Sequence, residues 1–311
     1  MHPISDTQLP PLIPPYLQPG DTIGITCPAG YVSFERVAPA IKVLQDWGYQ
    51  VRVGDTVGTE YHYFSGDDAC RRNDLQSLLD DTDVKAILMG RGGYGMSRII
   101  DGLDFSTFVQ HPKWLCGFSD ITVLHNHVHA LYQIPTMHSP MCGAFTEKTS
   151  NAGHILQFKS MLCGDAVSHI FPPSQYNRAG TATAVLTGGN LAILAHLTGS
   201  ISAVDTRGKI LFIEDVGEHY YNIDRLLLNL KRAGKLDHLA ALLVGSFTDM
   251  QDTERPFGQH LEEIVWDKVK EYNYPVAFHF PCGHQEINYT LGLGLPYRLS
   301  VFEDHSLLEK L

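Results

Sequence analysis

Along the first half of the chain, short apolar runs alternate with segments whose apolar residues recur at helical spacing. "DTIGITCPA" (21–29) reads as a buried strand, and residues 33–47 read as a helix. "YQVRVG" gives a second strand, followed by the helical pattern "DDACRRNDLQSLLDD". "VKAILMG" (84–90) gives a third strand, which runs through a glycine-rich turn into the helix "MSRIIDGL". "KWLCGF" gives a fourth, leading into "DITVLHNHVHALYQ". Strands alternating with amphipathic helices predict an α/β fold built on a parallel, doubly wound sheet. In such sheets ligands sit beyond the carboxyl ends of the strands.

A further helix is expected near 149–163. The stretch "FPPSQYNRAGTAT" (171–183) then turns to proline, glycine and polar residues, the composition of a linker. After it come "AVLTGGNLAILAHL", the strand "KILFIED" (209–215), a helix near 221–234, the strand "LAALLVGSF", a helix near 257–271, "YPVAFHF" and short terminal strands. The pattern predicts a first domain over 1–170, a linker over 171–183, and a second, more strand-rich α/β domain over 184–311. The active site would then lie in the cleft between the two.

The bulk numbers narrow the function. With 44% hydrophobic and 18% charged residues in 311, the chain is of ordinary globular composition. A formal net charge of −11 argues against nucleic acid as a partner, because phosphate neutralisation needs a basic surface. No apolar run reaches the length of a membrane span. "MHPISDTQLPPLIPPYLQPGD" lacks a basic region followed by an apolar one, so no signal peptide is expected, and its prolines suggest an extended lead-in. Six cysteines (27, 70, 116, 142, 163, 282) without framework spacing read as reduced, mostly buried thiols of a cytoplasmic protein.

Four motifs carry candidate chemistry. "GRGGYG" (90–95) matches G-x-G-x-x-G through Gly90, Gly92 and Gly95, with Asp120 near the place of a ribose-binding acid, so a nicotinamide cofactor is one reading. The same turn can instead aim the N–H groups of Gly92 or Gly93 at an oxyanion, with Arg91 supplying charge for a carboxylate. "GFSD" (117–120) resembles the front of a nucleophile elbow, with Ile121 in place of the last glycine. Ser or Asp before a helix is also an ordinary N-cap, and the two readings stay open on local grounds. "FIEDVGEHYYNIDRLL" (212–227) ends a strand on Glu214 and Asp215, then carries Glu218. "PCGHQEINYTLGLG" (281–294) sets His284 in a glycine-rich loop, with little structural reason to be there.

"HNHVHA" (125–130) places His125 and His129 one helical turn apart with His127 between them, but lacks the Glu of H-E-x-x-H. We expect no metal site there and read these residues as a solvated or partly packed helix face. His138 in "TMHSPM" gets no role from sequence.

Taken together, Ser119, an acid near 214 and His284 run in the order serine, acid, histidine. A base makes the serine nucleophilic, and a carboxylate holds the imidazole in the useful tautomer. The N–H groups of Asp120 and of Gly92 or Gly93 would bind the oxyanion, while the Asp120 side chain could still cap the helix that follows.

At this point "GDTIGITCPAG", "GRGGYGMSRII", "HPKWLCGFSDITVL", "GGNLAIL", "LFIEDVGEHYYNIDRLL" and "PCGHQEINYTLGLG" resemble the successive blocks of the LD-carboxypeptidase family of serine peptidases. The resemblance covers residues 19–300, in the family's order. It implies a cytoplasmic, cofactor-free and metal-free enzyme, commonly a homodimer, acting on murein tetrapeptide. It implies Ser119 as nucleophile, Glu214 as triad acid and His284 as base, with release of the terminal D-Ala during cell-wall recycling. The chain departs from the family pattern at "TCPAG", at the first glycine of "GRGGYG" and at "MHSP", all near the expected cleft and none in the triad.

A microcin C immunity-type peptidase, acting on an aminoacyl-adenylate analogue, is the nearest alternative. It would need an aromatic platform, for which Trp266, Tyr272 and Tyr274 are the candidates. A non-catalytic binding protein of the same fold is a further one.

Overall fold

A computed structural model describes residues 12–311. Two sheets form its frame. The first is built from β1 (Thr22–Thr26), β2 (Gln50–Val53), β3 (Val84–Met89), β4 (Trp114–Gly117) and β5 (Thr136–His138), all parallel in the order β2-β1-β3-β4-β5. Its central strands are apolar on both faces because helices cover both sides. The helices are α1 (Phe34–Asp46), α2 (Asp68–Asp80), α3 (Met96–Ile99), α4 (Ser106–Gln110), α5 (Thr122–Tyr132) and α6 (Gly153–Cys163). In α1 the buried residues Val37, Ala40, Val43 and Leu44 recur at the spacing of one helix face. The α2 N-terminus is capped by Asp67, whose carboxylate accepts from the Cys70 N–H at 2.7 Å.

The second sheet contains β6 (Ser168–Phe171), β7 (Gly180–Asn190), β8 (Ile210–Val216), β9 (Ala241–Thr248) and β10 (Val276–Ala277), with α7 (Leu191–Leu197), α8 (Tyr220–Arg232) and α9 (Leu261–Val269) between them. β11 (Leu291–Leu293), β12 (Pro296–Val301) and β13 (Ser306–Lys310) follow. The order is β10-β9-β8-β7-β12-β13-β6, parallel on the β10 side and antiparallel beyond β7. β7 serves both ladders: Gly180–Val185 pair with β12, and Leu186–Asn190 with β8.

The chain is more interwoven than the boundaries 1–170, 171–183 and 184–311 anticipate. β6 begins at Ser168 and pairs with β13 in the second sheet, while β7 begins inside the expected linker. β11, far into the expected second domain, pairs antiparallel with β5 and completes the first sheet. Strand pairing between such distant segments leaves no local mark on composition.

Of the proline-rich lead-in, residues 1–11 lie outside the described region. Beyond them, Leu17 is buried, Tyr16 stacks on Trp114 at 5.4 Å, and the Trp114 indole N–H donates to the Pro15 carbonyl at 3.1 Å. All six cysteines are free, and Cys27, Cys116, Cys142 and Cys282 are buried. Among the described residues no helix is long and apolar enough to cross a membrane.

The two halves meet through α5. Thr122 at its N-terminus accepts from the Asn190 backbone N–H at 3.1 Å, and Asn126 donates to the Gly188 carbonyl at 3.2 Å. Asn190 is the register partner of Glu214 in the β7–β8 ladder. The helix that starts just after Ser119 is thereby fixed beside the strand that carries Glu214.

Candidate active site

β4 ends at Gly117, and the chain turns sharply before α5 begins. Ser119 takes up that turn with φ +64°, a left-handed conformation that is unusual for a residue with a Cβ. Its side chain caps no helix; its hydroxyl lies 3.0 Å from Nε2 of His284. The ordinary N-cap reading of Ser119 is therefore replaced by an elbow that lifts the hydroxyl toward a histidine.

Nδ1 of His284 lies 2.7 Å from Oε2 of Glu214, which is fully buried. An ionised carboxylate can only accept, so Nδ1 carries the proton and Nε2 is left to accept from the serine hydroxyl. Glu214 reaches this position at an irregularity in the sheet, since the β8–β9 register shifts between Ile213 and Asp215. Such a bulge re-aims a side chain. The neighbouring Asp215 does different work. It accepts from the Asn190 side chain and from the Ala192 N–H, both at 2.9 Å, at the start of α7. Burial pushes its pKa up to about 6.

The His284 loop is held from several sides. Thr248 Oγ1 donates to the His284 carbonyl at 2.7 Å, the Ser246 N–H donates to the Cys282 carbonyl at 2.9 Å, and the Gly283 N–H donates to Asn288 Oδ1 at 2.9 Å. A Cβ on Gly283, whose φ is +127°, would stand 2.8 Å from Glu214 Oε2, so only glycine lets the loop come this close. Ser246, Thr248 and Asn288 were not singled out in the sequence. The alternation of Ser246 and Thr248 on one strand was the available signal; Asn288 had none.

The glycine turn after β3 packs directly on the elbow. A Cβ on Gly92 would meet Ser119 Cβ at 2.9 Å and Oγ at 3.1 Å, and the Gly30 N–H donates to the Gly92 carbonyl at 3.0 Å. Gly93 passes under the Tyr63 hydroxyl, and Gly95 under the Arg71 guanidinium. Asp120 is buried, and its Oδ2 accepts from the Met96 N–H at 2.7 Å, so its side chain caps α3 and not the helix that follows it in sequence. That placement also overturns the nicotinamide reading. The acid is buried beneath the turn, out of reach of a ribose, and α3 has only four residues. Burial holds the Asp120 pKa up at about 6, against the lowering effect of the Met96 hydrogen bond.

Arg91 is exposed, and its guanidinium donates to the Tyr31 carbonyl at 2.6 Å. Arg91 lines an open cleft together with Gly90, Phe118, Arg36 and Met141. The Phe118 ring lies 4.7 Å from the His284 ring, so this cleft adjoins the base.

The histidines of α5 are not a solvated face. His125, His127 and His129 are all buried, because α5 lies between the two halves. His125 Nε2 donates to the Gly117 carbonyl at 2.8 Å, His127 Nδ1 pairs with Ser202 Oγ at 2.9 Å, and His129 Nε2 accepts from Lys209 at 3.0 Å. Burial pushes the pKa of His125 down to about 4 and that of His129 to about 3, so both are neutral packing residues. No cluster among the described residues has the makings of a metal site. His138 is fully buried between the rings of Phe118 (5.7 Å) and Phe212 (5.1 Å). The aromatic residues considered for stacking a base are already engaged. Tyr272 stacks on Tyr274 at 5.4 Å, and Arg178 lies 4.7 Å over the Trp266 ring.

Comparison with known proteins matches residues 23–139 to the LD-carboxypeptidase N-terminal domain and residues 183–299 to the LD-carboxypeptidase C-terminal domain. The chain belongs to the LD-carboxypeptidase family. It is 33% identical over 301 residues to the probable murein peptide carboxypeptidase of Bacillus subtilis, covering 95% of this chain and 94% of that protein. It is 29% identical over 273 residues to the murein tetrapeptide carboxypeptidase of Pseudomonas aeruginosa, covering 84% and 87%. Among solved structures, the muramoyltetrapeptide carboxypeptidase of Oxalobacter formigenes superimposes with a TM-score of 0.85 at 28% identity, over 93% of this chain and 98% of that one. The microcin C7 self-immunity protein MccF, at 21% identity over 97% and 99% of the two chains, has a TM-score of 0.85 and shares the fold.

Proposed function

We propose that this LD-carboxypeptidase family member is a murein tetrapeptide carboxypeptidase with a Ser119–His284–Glu214 triad. The observation that carries the reading is the continuous chain from the Ser119 hydroxyl through His284 to the buried Glu214. His284 takes the Ser119 proton as the serine attacks the carbonyl preceding the terminal D-Ala. Glu214 stabilises the imidazolium that results. The developing oxyanion is held by the Asp120 N–H and by that of Gly92 or Gly93, each worth roughly 3 kcal/mol in comparable sites. His284 then protonates the leaving amine, and water hydrolyses the acyl-enzyme. The names of the murein carboxypeptidase relatives support the substrate. The family resemblance extends the proposal to a cytoplasmic, cofactor-free homodimer.

The test is incubation with L-Ala-D-Glu-meso-diaminopimelate-D-Ala, with D-Ala and tripeptide quantified by mass spectrometry. Release by the wild type and none by folded Ser119→Ala is expected. Near-normal release by that variant would mean another group is the nucleophile.

A further inference from the structure

Four arginines, Arg52, Arg71, Arg98 and Arg298, form ion pairs with acids. Of the eight arginines that form none among the described residues, two are Arg36 and Arg91. Both are exposed and both line the same cleft, beside Phe118 and Gly90. They approach it from different elements, Arg36 from α1 and Arg91 from the turn after β3. Each is placed by a close neighbour that lacks a side chain. A Cβ on Gly143 would stand 3.1 Å from Arg36 Nε, and one on Gly30 would stand 3.6 Å from Arg91 Nε. Arg91 is further anchored on the Tyr31 carbonyl.

The position of the cleft gives these charges a ligand. Phe118 is shared between the cleft wall and the His284 ring. A base that protonates the leaving amine must have the leaving residue on its own side of the scissile bond. In a carboxypeptidase substrate that residue carries its free carboxylate one α-carbon away from the amine. We infer that Arg36 and Arg91 together form the subsite for the C-terminal carboxylate of the leaving residue, and that Arg36 is the specificity residue that restricts the enzyme to free chain ends. The inference rests on the peptidase reading above. Two guanidinium groups suit a carboxylate through paired hydrogen bonds, and they offset the repulsion an anionic substrate meets at a protein of net charge −11.

The test is a cycle of enzyme and substrate variants. Wild type and Arg36→Gln are assayed on the tetrapeptide with a free terminal carboxylate and on the same peptide ending in a carboxamide. Arg36 is exposed, so the substitution leaves the core intact. Loss of one charge-assisted contact should lower kcat/KM on the free acid about 10- to 100-fold, mainly through KM, and Arg36→Lys should restore part of it. Amidation should cost the wild type a similar factor, whereas on the amide the two enzymes should be equal. An equal loss on both substrates, or no loss on the free acid, would overturn the assignment. So would a loss that follows amidation of the third residue's side-chain carboxylate instead of the terminus. If the wild type turns over none of these peptides, the peptidase reading itself fails. If it turns over the free acid and Arg36→Gln matches it, only the subsite falls.

Discussion

The Ser119 hydroxyl stands 3.0 Å from His284 Nε2 although the two residues are 165 apart in sequence. The contact exists because Ser119 is held at φ +64°, where the strand-to-helix turn projects its side chain over the sheet edge. A left-handed residue with a Cβ costs about 1 kcal/mol relative to glycine in the same conformation. Ser119→Gly and Ser119→Ala should therefore both lose peptidase turnover, with the glycine variant more stable than the alanine variant by about 1 kcal/mol. Urea unfolding of the two side by side checks this. Equal stability would mean that the elbow relaxes to an ordinary turn.

Gly92 tests the same elbow from outside the triad. Its φ is not positive, so alanine has no backbone penalty there. The added methyl would nevertheless stand 2.9 Å from Ser119 Cβ. Either Ser119 or the glycine turn must shift, and near-attack geometry is sensitive to small shifts. Gly92→Ala should lower kcat about 100-fold and cost about 1–3 kcal/mol of stability through overpacking against the elbow. A variant with full activity would show that the turn gives way without moving the serine.

The sequence made the parallel first sheet and the placing of Ser119, Glu214 and His284 at strand ends and in a loop legible, because those signals are local. Periodicity marks a strand, and the residues just past its end are the ones that face a cleft. What was not legible is non-local. His125, His127 and His129 look like a polar helix face, and only the second sheet packing over α5 buries them. "LGL" gives no sign that it pairs with β5, and Arg36 resembles any solvated residue of an amphipathic helix until the cleft is formed.

Glu214 and Asp215 are adjacent acids with separable duties. Glu214→Gln keeps the volume but leaves an amide opposite His284 Nδ1, which favours the wrong tautomer. We expect kcat to fall by about 10³- to 10⁴-fold with modest change in stability. Asp215→Asn removes a carboxylate that accepts from Ala192 and Asn190, so its effect should fall on stability, by about 1 kcal/mol, with kcat within a few-fold of wild type. Paired measurements of kcat and unfolding midpoint decide this. The opposite pattern would make Asp215 the acid.

Asp120 offers a pH test that is independent of the substrate. Its carboxyl is buried, has a single donor at Oδ2, and titrates near pH 6 in the folded protein, against about 3.9 for an unfolded chain. Folding thus favours the protonated form. The contribution of this group is fully present below about pH 4, is lost as the pH rises to about 6, and is level above that. Asp120→Asn cannot ionise and can still accept from the Met96 N–H through its amide oxygen. The stability of the variant relative to wild type should therefore rise by on the order of 2 kcal/mol between pH 4 and pH 7. The other carboxylates and histidines are common to both proteins and cancel in the difference. Unfolding midpoints in urea at half-unit steps across this range give the curve directly. Two parallel curves would mean that Asp120 titrates alike in the folded and unfolded chains, and that burial beside the elbow does not hold its proton.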